Sequence, residues 1–479
     1  MSRTGSIYYP VNSRYRHSIV WLRRDLRLRD NTALREALEA SDYISLVFIF
    51  DSGILKSLPA EDRRLSFIWE SIQDIDSRLH AKSLPPVNCF HGNPADIFPI
   101  LFHHNSVDAL FYNHDYEPLA VSRDSSIQKL CKSSGVYCHT FKDQVIFEKN
   151  EVLKEDATPY KVFTAYKNRW LVNLSDNAIM IHDTMPRLVG RIKPLNAPLK
   201  FVRNLKDIGF VQQRNIFQGG ESEAAKRWHQ FKRLRLDDYQ DTRDMPSEDA
   251  TSHLSTYLRF GNLSIRSLVS TSLGLSGSGP KTFLSELIWR EFFMMILWHF
   301  PYTVTSCFNP VYNSIPWINN RSWFRAWCDG KTGIPLVDAG MRELNATGYM
   351  HNRVRMITAS FLVKHLHVDW RWGEKYFADK LLDYELSSNN GNWQWAAGTG
   401  VDAAPYFRIF NPVTQGKKFD PEAKYIKRWI HELAQVNAKD IHKRSVDGDL
   451  ISGYPEPLID LDHERKVCLN LYQAAKRLD

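Results

Sequence analysis

The sequence predicts an α/β domain on a doubly wound parallel sheet, followed by an all-α domain. Two observations predict it. In the first part of the chain short β-rich runs alternate with amphipathic helical patterns, and alternation at that spacing builds parallel sheets. From about Glu221 onward the pattern is helical almost throughout.

The candidate strands are Ser18–Arg23 (SIVWLR), Ile44–Phe50 (ISLVFIF), Val87–Gly92 (VNCFHG) and Ala109–Asn113 (ALFYN). Between them, TALREALEA (Thr32–Ala40) and RLSFIWESIQDIDSRL (Arg64–Leu79) carry apolar residues at helical spacing. No G-x-G-x-x-G follows the first strand, so a dinucleotide fingerprint is absent. Residues 149–220 are less periodic and rich in Pro, Asn and Gly, which reads as a connector between domains. The expected organisation is a loose tail over 1–16, the α/β domain over 17–148, the connector over 149–220 and the helical domain over 221–479. Within the last, Lys281–Phe300 is a strongly apolar helix stopped by Pro301. Charges at Glu286, Arg290 and Glu291 exclude it as a membrane span.

Composition narrows the function classes. At 479 residues, with 43% hydrophobic and 24% charged, the chain is globular material with room for two or three cores. The N-terminus has no apolar stretch of a secretory signal. Six cysteines without a C-x-x-C pair indicate neither a disulfide framework nor a zinc site, and suit a cytoplasmic protein. Seventeen histidines include no H-E-x-x-H, so no metal chemistry is expected. A net charge of +8 permits nucleic-acid binding and implies that such binding is salt-sensitive. Fourteen tryptophans are more than a core needs, and point to ring binding or electron transfer.

The densest chemistry lies in NNGNWQWAAGTGVDAAPYFR (Asn389–Arg408). Asn and Gly favour turns, so the two amides read as running into a glycine turn before two tryptophans. Amides and aromatics packed together form a wall for a flat heteroaromatic ring, or a buried loop between helices.

That stretch, with GMRELNATGYMHNRVRMITASFLVKHLHVDWRWGEKYF (Gly340–Phe377), ELIWREFF (Glu286–Phe293) and VWLRRDLRLRDN (Val20–Asn31), resembles the photolyase/cryptochrome family. It is most similar to the class I cyclobutane pyrimidine dimer photolyases, over nearly the whole chain. The resemblance implies an FAD cofactor, DNA containing pyrimidine dimers as partner, no membrane association and a monomer. In such enzymes an extruded dimer is split by an electron from excited, reduced FAD, photolyases being a stock example of base flipping.

Residue by residue, the resemblance assigns roles that local chemistry alone leaves open. Thr251, Ser252 and Ser255 supply hydroxyls before a helix, where they read as a cap or an anion cradle. The run Thr251-Ser252-His253-Leu254-Ser255 resembles the family's flavin-adenine pyrophosphate site, with Tyr239 nearby. Glu286 lies one helical turn from Arg290 and Trp289, so an intrahelical ion pair beside a core Trp is the plain reading. By resemblance Glu286 is the acid that meets the dimer, with Trp289 and Trp395 as walls of the lesion pocket and Arg290 at the cofactor. Phe283 departs from a Trp common in relatives. Arg355 is expected to pair with Asp383 beside the flavin, with Glu385 close by and Asn389 facing the ring. Asn352 and Met356 stand where enzymes acting on (6-4) photoproducts carry two histidines, which is the cyclobutane-dimer pattern.

Trp393, Trp370 and Trp317 match the family's electron-transfer chain, although core packing is what most tryptophans do. Arg243, Arg353 and Arg408 match positions that contact the DNA backbone, where a guanidinium fork suits phosphate. The sheet edge after the fourth strand offers a place for an antenna chromophore, with no bound antenna as the alternative. Leu119 and Ala120 replace the Asn and Glu of folate-binding relatives, so a deazaflavin or FMN type fits better than folate. The rival reading is a cryptochrome-like photoreceptor. Keeping Glu286, Asn352, Trp289 and Trp395 together argues against it, because a receptor needs no lesion pocket.

Overall fold

The computed structural model describes residues 15–447 and 453–477, and the chain divides into two compact units. The first comprises residues up to Ile146 with Asp176–Lys226 and Phe260–Ser270. The second comprises Phe147–Ser175, Arg227–Arg259 and Thr271–Asp479. The 149–220 segment read as a connector is thus shared between them. Residues 1–14 of the expected tail lie outside the described residues, and Tyr15 and Arg16 already belong to the first strand.

The first unit is a five-stranded, all-parallel sheet in the order β3-β2-β1-β4-β5. Its strands are β1 (Tyr15–Leu22), β2 (Ser41–Asp51), β3 (Asn88–Gly92), β4 (Ala109–Asn113) and β5 (Tyr137–Phe141). β1 and β2 are buried on both faces, as a covered parallel sheet requires, which is why they read as near-continuous apolar runs. β5 has no such signature. It is a polar edge strand whose Tyr137 is half exposed, and sequence patterning misses it. At the switch point between β1 and β4, Asn113 donates to Asp25 at 2.6 Å and to Asn31 at 2.9 Å.

The second unit is helical. The Ser278–His299 helix is buried around most of its circumference, yet it carries Glu291 only 2% exposed. One carboxylate oxygen of Glu291 accepts from the Phe147 amide at 3.2 Å, Tyr166 at 3.1 Å and Trp170 at 2.6 Å. Those donors are what make a buried carboxylate tolerable there. Among the described residues no helix is long and apolar enough to cross a membrane.

The Asn-Asn-Gly turn expected near Asn389 is not formed: Leu386–Ala397 is one continuous helix. Tertiary contacts override the local preference. Asn390 and Gln394 donate to the Thr303 carbonyl at 2.9 and 3.0 Å, so these amides bond across to another segment and not to their own backbone. Gly391 is there for contact, since a Cβ would lie 2.2 Å from the Phe293 ring. Gly391→Ala is accordingly expected to destabilise the unit by roughly 1–3 kcal/mol through overpacking. Urea unfolding checks this, and an unchanged midpoint would count against so close a helix approach.

Candidate active site

Seven of the nominated residues line one open pocket of about 530 Å³ in the helical unit: Asn352, Arg355, Met356, Asp383, Glu385, Asn389 and Trp393. Three helices build it: Asn352–Lys364, Trp370–Lys380 and Leu386–Ala397. Asp383 accepts from Arg355 Nη2 at 2.9 Å, and Arg355 Nε donates to the Met350 carbonyl at 2.7 Å. Burial opposes the charge on Arg355, but Asp383 beside it raises the guanidinium pKa on balance. The expected pair is therefore present. Asn352 Nδ2 contacts the Met356 sulfur at 3.9 Å, so this amide and thioether form one short strip of the wall.

Asn389 is turned by a partner that sequence reasoning missed. Its amide donates to Glu374 Oε1 at 2.8 Å and to the Glu374 carbonyl at 3.0 Å. Burial raises the Glu374 pKa above the ordinary carboxyl range. Glu374 lies on a different helix, fifteen residues upstream, so no local pattern announces it. Asn392 also lines the pocket and donates to the Ser388 carbonyl at 2.7 Å within its own helix.

Trp393 is 2% exposed and packs on Phe377 at 5.0 Å and Trp327 at 6.1 Å. Trp370 is buried in the same apolar core, whereas Trp317 is only partly buried and meets Tyr472 edge-on at 6.0 Å. Trp395 is partly buried near Phe410, 6.4 Å away.

On the Ser278–His299 helix the intrahelical pair of Glu286 with Arg290 does not form. Glu286 is ion-paired with Arg243, and Arg290 Nε lies 3.3 Å from Glu385. Trp289 is stacked face to face on Phe163 at 3.6 Å. Phe283, the departure from Trp, is buried among Trp228, Phe231 and Tyr239. Arg353 pairs with Asp244 at 2.6 Å, while Arg408 is exposed.

The Thr251–Ser255 run leads into a helix of only six residues, Ser255–Phe260. Ser252 caps locally, accepting from the Leu254 amide at 3.4 Å. His253 adopts φ +52° and hydrogen-bonds Asp249 at 2.8 Å. The His253 ring packs on the Tyr349 ring at 5.2 Å, and the Arg355 guanidinium stands 5.4 Å from the Tyr349 ring. That contact links the run to the pocket.

His351, also missed, caps the Asn352–Lys364 helix by accepting from the Arg353 amide at 3.2 Å. Burial lowers its pKa to about 4. The unfolded chain takes this proton near pH 6.5 while the folded chain stays neutral down to about 4, so stability falls as pH drops through that window. The contribution is up to about 3 kcal/mol. His351→Asn keeps a capping acceptor without the proton site. Its melting temperature should fall less than the wild type's between about pH 7 and about pH 4.5, and an equal fall would refute the assignment.

The pocket fits a flat heteroaromatic cofactor with ring N–H donors. Asp383 Oδ1 is buried without a hydrogen-bond partner, and the neighbouring Ser387 hydroxyl is likewise unsatisfied. Buried acceptors of this kind ask for a ligand donor. The helical unit thus holds a pocket lined by a tryptophan, an Arg–Asp pair and buried acceptors, a lining that suits a flat heteroaromatic ring.

The chain belongs to the DNA photolyase family. The family's DNA photolyase model matches residues 18–186, and the FAD binding domain of DNA photolyase matches residues 283–474. A deoxyribodipyrimidine photo-lyase of Vibrio cholerae is 36% identical over 96% of this chain and 99% of its own length. A photolyase of Sulfolobus tokodaii, solved with two FAD molecules, has a TM-score of 0.83 and 36% identity, covering 96% of this chain and 100% of that one. A class III photolyase of Agrobacterium tumefaciens has a TM-score of 0.87 and 32% identity, covering 99% and 100%.

Proposed function

We propose that the protein is a light-driven DNA repair enzyme that splits cyclobutane pyrimidine dimers. The observation that carries this reading is the single pocket holding Arg355, Asp383, Asn389, Trp393, Asn352 and Met356. When bound, reduced FAD supplies the light-driven electron that opens the dimer and receives it back afterwards. Arg355 and Asp383 would hold the flavin ring, with Asn389, oriented by Glu374, beside it. Thr251, Ser252, His253, Leu254 and Ser255 would hold the pyrophosphate, with Tyr239, Arg290 and Glu385 completing the cofactor site. Glu286 and Asn352 would hydrogen-bond the dimer, and Trp289, Trp395 and Met356 would wall it. Arg243, Arg353 and Arg408 would meet the DNA backbone. Trp393, Trp370 and Trp317 would carry electrons inward to restore a reduced flavin.

In this reading residues 221–479 perform the chemistry and residues 17–148 collect light. The antenna is of deazaflavin or flavin type: Leu119 is exposed and apolar, and Asp115 and Glu117 are already paired with Arg24 at 3.0 and 3.1 Å. Six free cysteines are in keeping with a cytoplasmic protein, which acts as a monomer.

The test is illumination of the flavin-loaded, chemically reduced protein with a dimer-containing oligonucleotide. Loss of the dimer in blue light and not in darkness is the expected result. Persistence of the dimer in both would refute the function, and the absorption spectrum before illumination identifies the antenna.

A further inference from the structure

Two of the three arginines assigned to DNA phosphates are neutralised by carboxylates. Arg243, just beyond the Tyr239–Thr242 helix, pairs with Glu286, and the next residue, Asp244, holds Arg353 at 2.6 Å. The Arg243 and Glu286 side chains are 28% and 35% exposed, so a ligand can reach either. An ion pair in so wet a setting is weak enough to exchange partners.

We propose that Arg243 is a lesion-gated phosphate contact, held by Glu286 on undamaged DNA and released when Glu286 turns to a dimer. The inference rests on the reading of Glu286 as the group that meets the dimer. Undamaged DNA offers Arg243 a phosphate but offers Glu286 nothing. Freeing the arginine would then leave a bare carboxylate facing a polyanion, and like-charge repulsion returns it to the pair. A dimer in the pocket presents polar ring edges that engage Glu286. The guanidinium fork is then free to take a phosphate in place of the carboxylate. Lesion recognition and backbone grip are thereby coupled through one ion pair, and Arg243 acts as a specificity-determining residue. Asp244 lacks this coupling, because no dimer group competes for it.

The consequence is countable. Dimer DNA gains one phosphate contact that undamaged DNA lacks, and each contact adds about 0.9 to the slope of log K against log salt. Binding of wild type to dimer-containing and undamaged duplexes is measured in the dark over a range of salt. The dimer slope should be steeper by about 0.9. Arg243→Gln should lower the dimer slope by that amount and leave the undamaged slope unchanged. Glu286→Gln, which lets Arg243 go, should raise the undamaged slope to meet the other. Asp244→Asn should raise both alike. A wild type that prefers dimer DNA, with Arg243→Gln lowering both slopes equally, overturns the gate alone. A wild type that does not distinguish the two DNAs overturns the functional reading, and the gate with it.

Discussion

Asp383→Ala should lower the unfolding free energy of the helical unit by about 3–5 kcal/mol and yield a protein that no longer retains flavin. Asp383 is 3% exposed in its side chain and makes the ion pair with Arg355 at 2.9 Å. Removing it leaves a largely buried guanidinium whose remaining protein acceptor is the Met350 carbonyl. An uncompensated charge in that position is the costly half of a broken buried pair. The flavin effect has a separate cause. Asp383 Oδ1 is the unsatisfied acceptor beside the pocket, and alanine offers a ring N–H nothing. Asp383→Asn keeps the volume and one acceptor, so it should lose stability while retaining part of the flavin. Urea unfolding, with absorbance of the purified protein, separates the two effects. An unchanged midpoint in Asp383→Ala would show that Arg355 does not depend on this carboxylate.

How much of this was legible in sequence depended on the range of the interaction. Four of the five strands and the Thr32–Ala40 and Arg63–His80 helices declared themselves, because each buries an apolar face that repeats with its own period. β5 did not, since an edge strand half in water needs no apolar run. The Arg355–Asp383 pair was expected only because a family pattern named it, and the structure forms it.

The errors were of one kind. Asn389, Asn390 and Gly391 were read by local propensity as a turn, and the helix stands because the two Asn side chains bond to other segments while Gly391 admits the Phe293 ring. Helical spacing alone would pair Glu286 with Arg290, and both turn instead to charges distant in sequence. Spacing along one helix says which side chains could meet. It does not weigh Arg243 or Glu385, brought in by the fold, against them. Glu374 and His351 were missed for the same reason.

Trp393→Phe should nearly abolish light-driven reduction of oxidised flavin while sparing repair by protein reduced beforehand. An indole gives up an electron far more readily than a benzene ring, so phenylalanine removes the donor and keeps an aromatic filler. The exchange also leaves a void against Phe377 and Trp327, at a stability cost below the roughly 3–5 kcal/mol of a full Trp→Ala truncation. Folding should therefore survive. Trp393 lines the pocket, Trp370 is buried in the same core, and Trp317 is only partly buried, a gradation of exposure that suits passage from surface to flavin. Trp327 is the competitor, a fully buried indole 6.1 Å from Trp393 that donates to the Thr358 carbonyl at 3.1 Å. Trp327 packs among Phe324, Tyr376 and Phe377 and is not one of the three positions that match the family's electron-transfer chain. Trp327→Phe should consequently leave photoreduction intact, whereas Trp370→Phe and Trp317→Phe should slow it. Transient absorption under blue light distinguishes these cases. Full photoreduction in Trp393→Phe, or its loss in Trp327→Phe, would place the electron path elsewhere in this core.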